Sequence, residues 1–219
     1  MRPEIRSFFD KATNTVTHVV YGGLGTPCAV IDPVLDYDSR SGRTGTASIE
    51  LLEAFLDEAK LTVAWIIETH VHADHLTGAR RLRERRGGRT AIGADIVETQ
   101  RHFAALFNAE AAFKPDGSQF DHLFIGGERF TIGELDAVAL HTAGHTPDCM
   151  TYVIGDADFI GDTLFMPDYG TARADFPGGD ARALYRSVRR VLSLPDDPAA
   201  PGRGIRDDMA GRIRWFVKE

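Results

Sequence analysis

Three imidazoles and a carboxylate fall within six residues in the stretch Thr69-His70-Val71-His72-Ala73-Asp74-His75. Histidine accounts for 8 of the 219 residues and three of the eight sit here, so incidental histidines in a polar loop are the weaker reading. On extended backbone the side chains of His70 and His72 project the same way, because the period of a strand is two. Asp74 and His75 follow where the chain is expected to turn into a helix, and approach the same cavity from its other side. Neutral imidazole suits zinc and iron, and a carboxylate adds charge compensation. The chemistry this stretch points to is metal binding.

Two further ligand candidates stand at strand ends. Ala143-Gly144-His145-Thr146-Pro147 places a histidine in a tight turn, and Gly161-Asp162-Thr163 places a carboxylate just after an apolar run. Taken alone, His145 is as readily a turn residue as a ligand, and Asp162 is more often a turn or N-cap residue. Beside the cluster, both become ligand candidates, since binding groups concentrate on loops held by a rigid sheet.

The elements that must position these groups follow from periodicity and punctuation. Thr15 to Tyr21 and Cys28 to Ile31 read as strands, separated by glycine turns and closed by Asp32-Pro33. Residues 36–45 read as a loop. Ser48 to Lys60 reads as an amphipathic helix with Ser48 as N-cap and Ile49, Leu52, Phe55 and Leu56 on one face. Leu61 to Glu68 is a nearly continuous apolar strand, so it is expected to be buried on both sides. Helices are expected over Leu76 to Arg86 and Ala94 to Asn108, with a strand over Thr90 to Gly93 between them. Beyond Pro115 come short strands over Leu123 to Ile125, Glu128 to Ile132, Leu135 to His141, Met150 to Ile154 and Ala157 to Ile160. A helix over Asp180 to Leu192 follows. Alternating strands and helices followed by a meander suit an α/β protein with two sheets and helices outside them, a four-layer αββα sandwich.

Composition limits the function classes. Hydrophobic residues make up 43% and charged residues 26%, with net charge −7 and no basic stripe interleaved with aromatics. Nucleic acid is therefore not expected as a partner. The run Arg80-Arg81-Leu82-Arg83-Glu84-Arg85-Arg86 reads as a solvated helix face rather than an anion site. No apolar run approaches a membrane span, and no secretory signal is visible near Met1. Two cysteines form no disulfide framework, so the expected location is the cytoplasm. Cys28 and Cys149 read as buried and inert, and His18, His102, His122 and His141 as ordinary or structural. A homodimer is compatible with all of this.

His70-x-His72-x-Asp74-His75, then Gly144-His145-Thr146, then Gly161-Asp162 resembles the metallo-β-lactamase superfamily in order and spacing. The likeness runs from about Thr15 to Pro195. Glu68 to Ala79, His145-Thr146-Pro147-Asp148-Cys149, Gly161 to Phe165 and Gly170-Thr171-Ala172-Arg173-Ala174-Asp175-Phe176 are similar to motifs of its persulfide dioxygenase (sulfur dioxygenase) branch. Glyoxalase II-like thiolester hydrolases are the neighbouring branch. The binuclear members carry a further histidine after the last helix, whereas no histidine follows His145 here. The segment 198–219 does not resemble the family's C-terminal segment. The expectation is one metallo-β-lactamase domain over 1–219 whose C-terminal tail is truncated or divergent.

The resemblance implies one Fe(2+) per chain, held by His70, His145 and Asp162, with His72, Asp74 and His75 around it or serving as alternative ligands. It implies oxidation of a small-molecule thiol persulfide, glutathione persulfide first, by O2 to sulfite and the thiol. Arg173 is then a candidate for the substrate carboxylate, with a structural pair to Asp175 as the equal alternative. The competing enzyme is a Zn(2+) thiolester hydrolase. A third reading is a metal-binding or regulatory protein without catalysis.

Overall fold

The computed structural model describes residues 1–166 and 168–194, so the expectation for the 198–219 tail falls outside the described residues. The chain opens with strands β1 (Glu4–Asp10), β2 (Thr15–Tyr21) and β3 (Pro27–Ile31), then three two-residue strands, β4 (Val34–Leu35), β5 (Tyr37–Asp38) and β6 (Arg43–Thr44). Helix α1 (Ala47–Glu58), β7 (Thr62–Ile67), the short β8 (Leu76–Thr77), α2 (Ala79–Arg86), β9 (Arg89–Gly93) and α3 (Ile96–Leu106) follow. The second half holds β10 (His122–Phe124), β11 (Glu128–Ile132), β12 (Leu135–His141), β13 (Met150–Ile154) and β14 (Ala157–Phe159). A 3-10 turn at Gly161–Thr163 and helix α4 (Ala181–Leu192) complete the described chain.

Six strands form one sheet in the order β1-β2-β3-β7-β9-β10, and β11-β12-β13-β14 form an antiparallel second sheet. Neighbouring residues on the first sheet serve opposite cores. Val20, Ile31 and Ile67 pack between the sheets with Leu135, Ala139, Tyr152 and Ile154. Val19, Val30 and Ile66 face the other way, onto Ile49, Leu52 and Leu56 of α1 and Leu82 of α2. Two-sided burial is why these strands read as continuous apolar runs rather than alternating ones. Each fully buried aliphatic side chain contributes about 1.5–3 kcal/mol relative to exposure. The architecture is the expected four-layer αββα sandwich.

Local departures have physical causes. β1 was not anticipated; it is an edge strand paired in register with β2 from Glu4↔Tyr21 to Asp10↔Thr15, and its charges face solvent. Ser48 does not cap α1. Thr46 holds the N-cap position but its hydroxyl donates to Glu50 rather than capping the helix backbone, while the Ser48 amide and hydroxyl both donate to Asp36, at 3.0 and 2.6 Å. The expected loop 36–45 contains the β5–β6 hairpin. α2 begins only at Ala79, because Leu76 and Thr77 pair with Leu35 and Val34 instead of entering the helix. The arginines of α2 are spent on carboxylates: Arg86 on Glu53 and Asp57, Arg83 on Asp121, Arg80 on Glu84.

Candidate metal centre

β3 and β7 run parallel and adjacent, so Asp32 at the end of one lies beside residues 68–70 at the end of the other. Asp32 takes a left-handed conformation, φ 50°, which costs a non-glycine residue energy that the surroundings must offset. Its carboxylate accepts from the Thr69 amide (2.7 Å), the Thr69 hydroxyl (2.8 Å) and His72 Nε2 (3.1 Å). Burial alone would raise the Asp32 carboxyl, but His72 and the Thr69 amide hold it below the usual carboxylate range. Because the Thr69 hydroxyl gives its proton to Asp32, its oxygen is left to accept from His70 Nδ1 at 3.0 Å. His70 therefore presents a bare Nε2 to the cleft. Burial, reinforced by His72, holds the His70 ring well below the usual histidine range and so keeps it neutral.

His145 reaches the cleft from the turn between β12 and β13. Its Nδ1 donates to the Arg173 carbonyl at 2.8 Å, so it too offers Nε2. Gly144 makes the turn possible. Its φ is 144°, and a Cβ there would lie 2.2 Å from the Leu184 amide nitrogen of α4. Asp162 stands in the 3-10 turn after β14, preceded by Gly161 at φ 49°, where a Cβ would lie 2.6 Å from Thr69 Oγ1. These close approaches, to a helix backbone at Gly144 and to the Thr69 side chain at Gly161, are possible only because both residues are glycine. Desolvation raises the Asp162 carboxyl, with His145 opposing.

The three groups converge. Asp162 Oδ2 lies 3.8 Å from His70 Nε2 and 3.5 Å from His145 Nε2, and the three ligand atoms all fall within 4.8 Å of one another. Ligands about 2.0–2.2 Å from one tetrahedral ion stand about 3.4 Å apart, so the set has the dimensions of a coordination shell. Two imidazoles and one carboxylate leave positions open, the donor set of non-haem Fe(II) oxygenases and also one that zinc accepts.

His72, Asp74 and His75 form a second convergent group beside it, with the His72 and His75 rings 4.1 Å apart. His72 sits between two buried carboxylates, Asp32 at 3.1 Å and Glu68 at 3.4 Å. Burial opposes its protonation, but these carboxylates outweigh that and raise the His72 ring well above the usual range. Glu68 is anchored by a short bond from the Thr77 hydroxyl, and its Oε2 and His75 Nε2 are buried without hydrogen-bond partners. Unsatisfied buried polar atoms beside such a cluster are ones that an ion or a further polar group would complete.

Several of these residues had no expected role. Asp32 looked like strand-end punctuation; its signal was an acid at the end of a strand next to the cluster's own. Asp148 is buried, accepts from the Val71 amide (2.7 Å) and the Thr99 hydroxyl (2.5 Å), and so ties the cluster loop to α3. The Arg173 guanidinium is bidentate to Asp175 at 2.6 and 2.8 Å and lies 5.0 Å over Phe176, whose ring is 5.1 Å from His145. Cys28 and Cys149 are buried, and burial pushes both thiols up to about 12.

Two sheets packed face to face, with imidazoles and carboxylates gathered at one edge of both, define a metal-binding αββα protein. Residues 13–203 match the family described as the Metallo-beta-lactamase superfamily, and the chain belongs to it. A probable metallo-hydrolase of Burkholderia pseudomallei is 53% identical over 87% of this chain and 68% of its own length. Glyoxylase B2 of Dictyostelium discoideum is 48% identical over 77% of this chain and 59% of its own. The human mitochondrial persulfide dioxygenase ETHE1 is 27% identical over 88% and 65%. The crystal structure of ETHE1 from Myxococcus xanthus superposes with a TM-score of 0.68 at 29% identity, covering 88% of this chain and 71% of that one. The chain spans about half to two thirds of the length of the curated relatives it matches. Among the described residues, no helix is long and apolar enough to cross a membrane.

Proposed function

We propose that this protein is an iron-dependent persulfide dioxygenase with glutathione persulfide as its substrate. The observation that carries the reading is the convergence of His70, His145 and Asp162, with both imidazoles fixed to offer Nε2. Fe(II) held by these three would supply open positions at which the persulfide sulfur and dioxygen meet, an oriented encounter in place of a bimolecular collision. The overall conversion balances as persulfide, dioxygen and water giving thiol, sulfite and two protons. The chain's own groups do the positioning. Asp32 and Thr69 orient His70, the Arg173 carbonyl orients His145, and Phe176 walls the His145 side. The Arg173–Asp175 pair is exposed, so releasing Arg173 to a carboxylate of the glutathione moiety costs little.

A second reading is favoured by the unpartnered Nε2 of His75, whose Nδ1 lies 3.4 Å from Asp74, and by the likeness to a protein named glyoxylase B2. In it, zinc at both groups would supply a hydroxide to a thiolester carbonyl. Metal content after purification without added metal, paired with oxygen uptake on glutathione persulfide, separates the two. One iron per chain with persulfide-dependent oxygen consumption supports the dioxygenase. Zinc with thiolester cleavage and no oxygen uptake overturns it.

A further inference from the structure

The turn joining β1 to β2 and the β5–β6 hairpin enclose a cavity of about 580 Å³ between them. Small-ligand sites run to about 300–1,000 Å³, so the space suits part or all of such a molecule. Its walls are tied down on both sides. The Thr13 amide and hydroxyl donate to Asp10 at 3.0 and 2.6 Å and close the turn. The Gly45 amide donates to the Asp36 carbonyl at 2.8 Å, and the bond from Ser48 to the Asp36 carboxylate fixes the hairpin to α1. The floor is β4, which pairs with Leu76 and Thr77 just beyond the cluster loop.

This cavity adjoins the candidate centre at one end of its row of rings. The imidazoles follow one another from His145 through His70 and His72 to His75, with centroids 5.1, 4.1 and 4.1 Å apart. Arg173 belongs to the His145 end, through its carbonyl. The cavity belongs to the His75 end: the Thr13 hydroxyl lies 2.9 Å from that of Thr15, which lies 3.1 Å from Asp74 Oδ2 and 3.2 Å from His75 Nδ1. Glutathione carries its sulfur on the middle one of three residues, so a molecule that brings its sulfur to the centre sends one end each way. Three residues span about 10 Å at most, enough to reach from the centre into the cavity.

Charge inside the cavity is left uncompensated. Asp10, Asp36 and Asp38 line it, and their carboxylates accept only from hydroxyls and backbone amides. Arg43 lines it too and sits directly across the hairpin from Asp38, yet among the described residues the two make no ion pair and the guanidinium has no other partner. Three carboxylates and one guanidinium, none neutralised by another, match a group that holds an ammonium and a carboxylate on one carbon. In glutathione only the γ-glutamyl head is such a group, since the glycine end offers a carboxylate alone. Coenzyme A presents phosphates, which the carboxylates repel.

We infer that this cavity is the subsite for the γ-glutamyl head, with Arg43 receiving its carboxylate and the aspartates its ammonium. The inference rests on the reading that glutathione bears the substrate sulfur, whichever reaction follows. It leaves the glycine carboxylate to Arg173, at the opposite end of the row.

The test is titration calorimetry of the purified protein with S-methylglutathione, which binds without turning over. Acetylating the ligand's amine should weaken binding about fivefold, and Arg43→Met should do the same, the upper end for an exposed charge pair. Arg43→Lys should restore most of the affinity, and coenzyme A should not compete. Absence of S-methylglutathione binding, equal affinity for the acetylated ligand, competition by coenzyme A, or wild-type affinity in Arg43→Met at an unchanged thermal midpoint each overturns the inference. Oxygen uptake separates this from the reaction. Binding as expected without persulfide-dependent uptake sinks the dioxygenase and leaves the subsite standing. Uptake with the same KM for glutathione persulfide and its N-acetyl form sinks the subsite alone.

Discussion

Replacing Asp32 by Asn changes one atom and should disable the centre through its tautomers. Asn tolerates the left-handed backbone that Asp32 already adopts at φ 50°, so the chain path need not move. Its single acceptor oxygen would stay with the Thr69 amide and His72 Nε2, now 2.7 and 3.1 Å from Oδ1. The amide nitrogen would then stand where Oδ2 receives the Thr69 hydroxyl at 2.8 Å. Two donors cannot face each other, so the hydroxyl must turn, and its new acceptor is His70 Nδ1 at 3.0 Å. That pushes the His70 proton onto Nε2 and closes the lone pair. Loss of one charge-assisted hydrogen bond predicts a fall of about 1.5–3 kcal/mol in unfolding free energy of the metal-free protein. The tautomer change predicts a loss of about 10–100-fold in metal affinity, the scale for groups that orient a ligand. Chelator competition with Fe(II) and Zn(II), beside urea unfolding, measures both. Wild-type metal affinity in Asp32→Asn would refute the chain of reasoning from Asp32 through Thr69 to His70.

Three other outcomes are expected. Burial pushes the His18 ring down to about 4, with Asp32 opposing, so His18 stays neutral in the folded protein while its unfolded counterpart takes up a proton near pH 6.5. Its contribution is full above about 6.5 and is lost as pH falls towards 4, a decline of about 3 kcal/mol. Wild type should lose that much more than His18→Gln between pH 7 and 4 in urea unfolding, and parallel losses would reject it. Thiol titration at pH 8 should find neither Cys28 nor Cys149 reactive in the native protein and both reactive after unfolding; rapid native labelling would contradict their raised pKa. Arg173→Met should leave metal content and thermal midpoint unchanged, because His145 is held by the backbone carbonyl, yet raise KM for glutathione persulfide several-fold. An unaltered KM would return Arg173 to a purely structural pairing with Asp175.

The candidate centre was legible where the proposed ligands lie close in sequence or stand at strand ends. His70, His72, Asp74 and His75 announce themselves by density, and His145 and Asp162 by following apolar runs. The alternation of strand and helix followed by a meander carried the layer order as well. What escaped was whatever depends on contacts between distant segments. Asp32 and Thr69 are 37 residues apart, Val71 and Asp148 are 77 apart, and Thr15 and His75 are 60 apart. Asp32, Asp148 and Thr15 are small polar residues whose local context suggests a turn or a strand start. Ser48 misled for the same reason, since its hydroxyl prefers Asp36, 12 residues away, to the helix it begins beside. β1 escaped because an edge strand exposes its charged residues and so lacks the apolar run that marks the inner ones.

The origins of the three convergent candidate ligands have a mechanical consequence. His70 hangs from the first sheet, at the end of β7, while His145 and Asp162 hang from the second, before β13 and after β14. An ion gripped by all three would be a rivet through both halves of the sandwich. The layers could then not slide or part without first breaking a coordination bond, so loading would slow opening of the inter-sheet core as well as add to equilibrium stability.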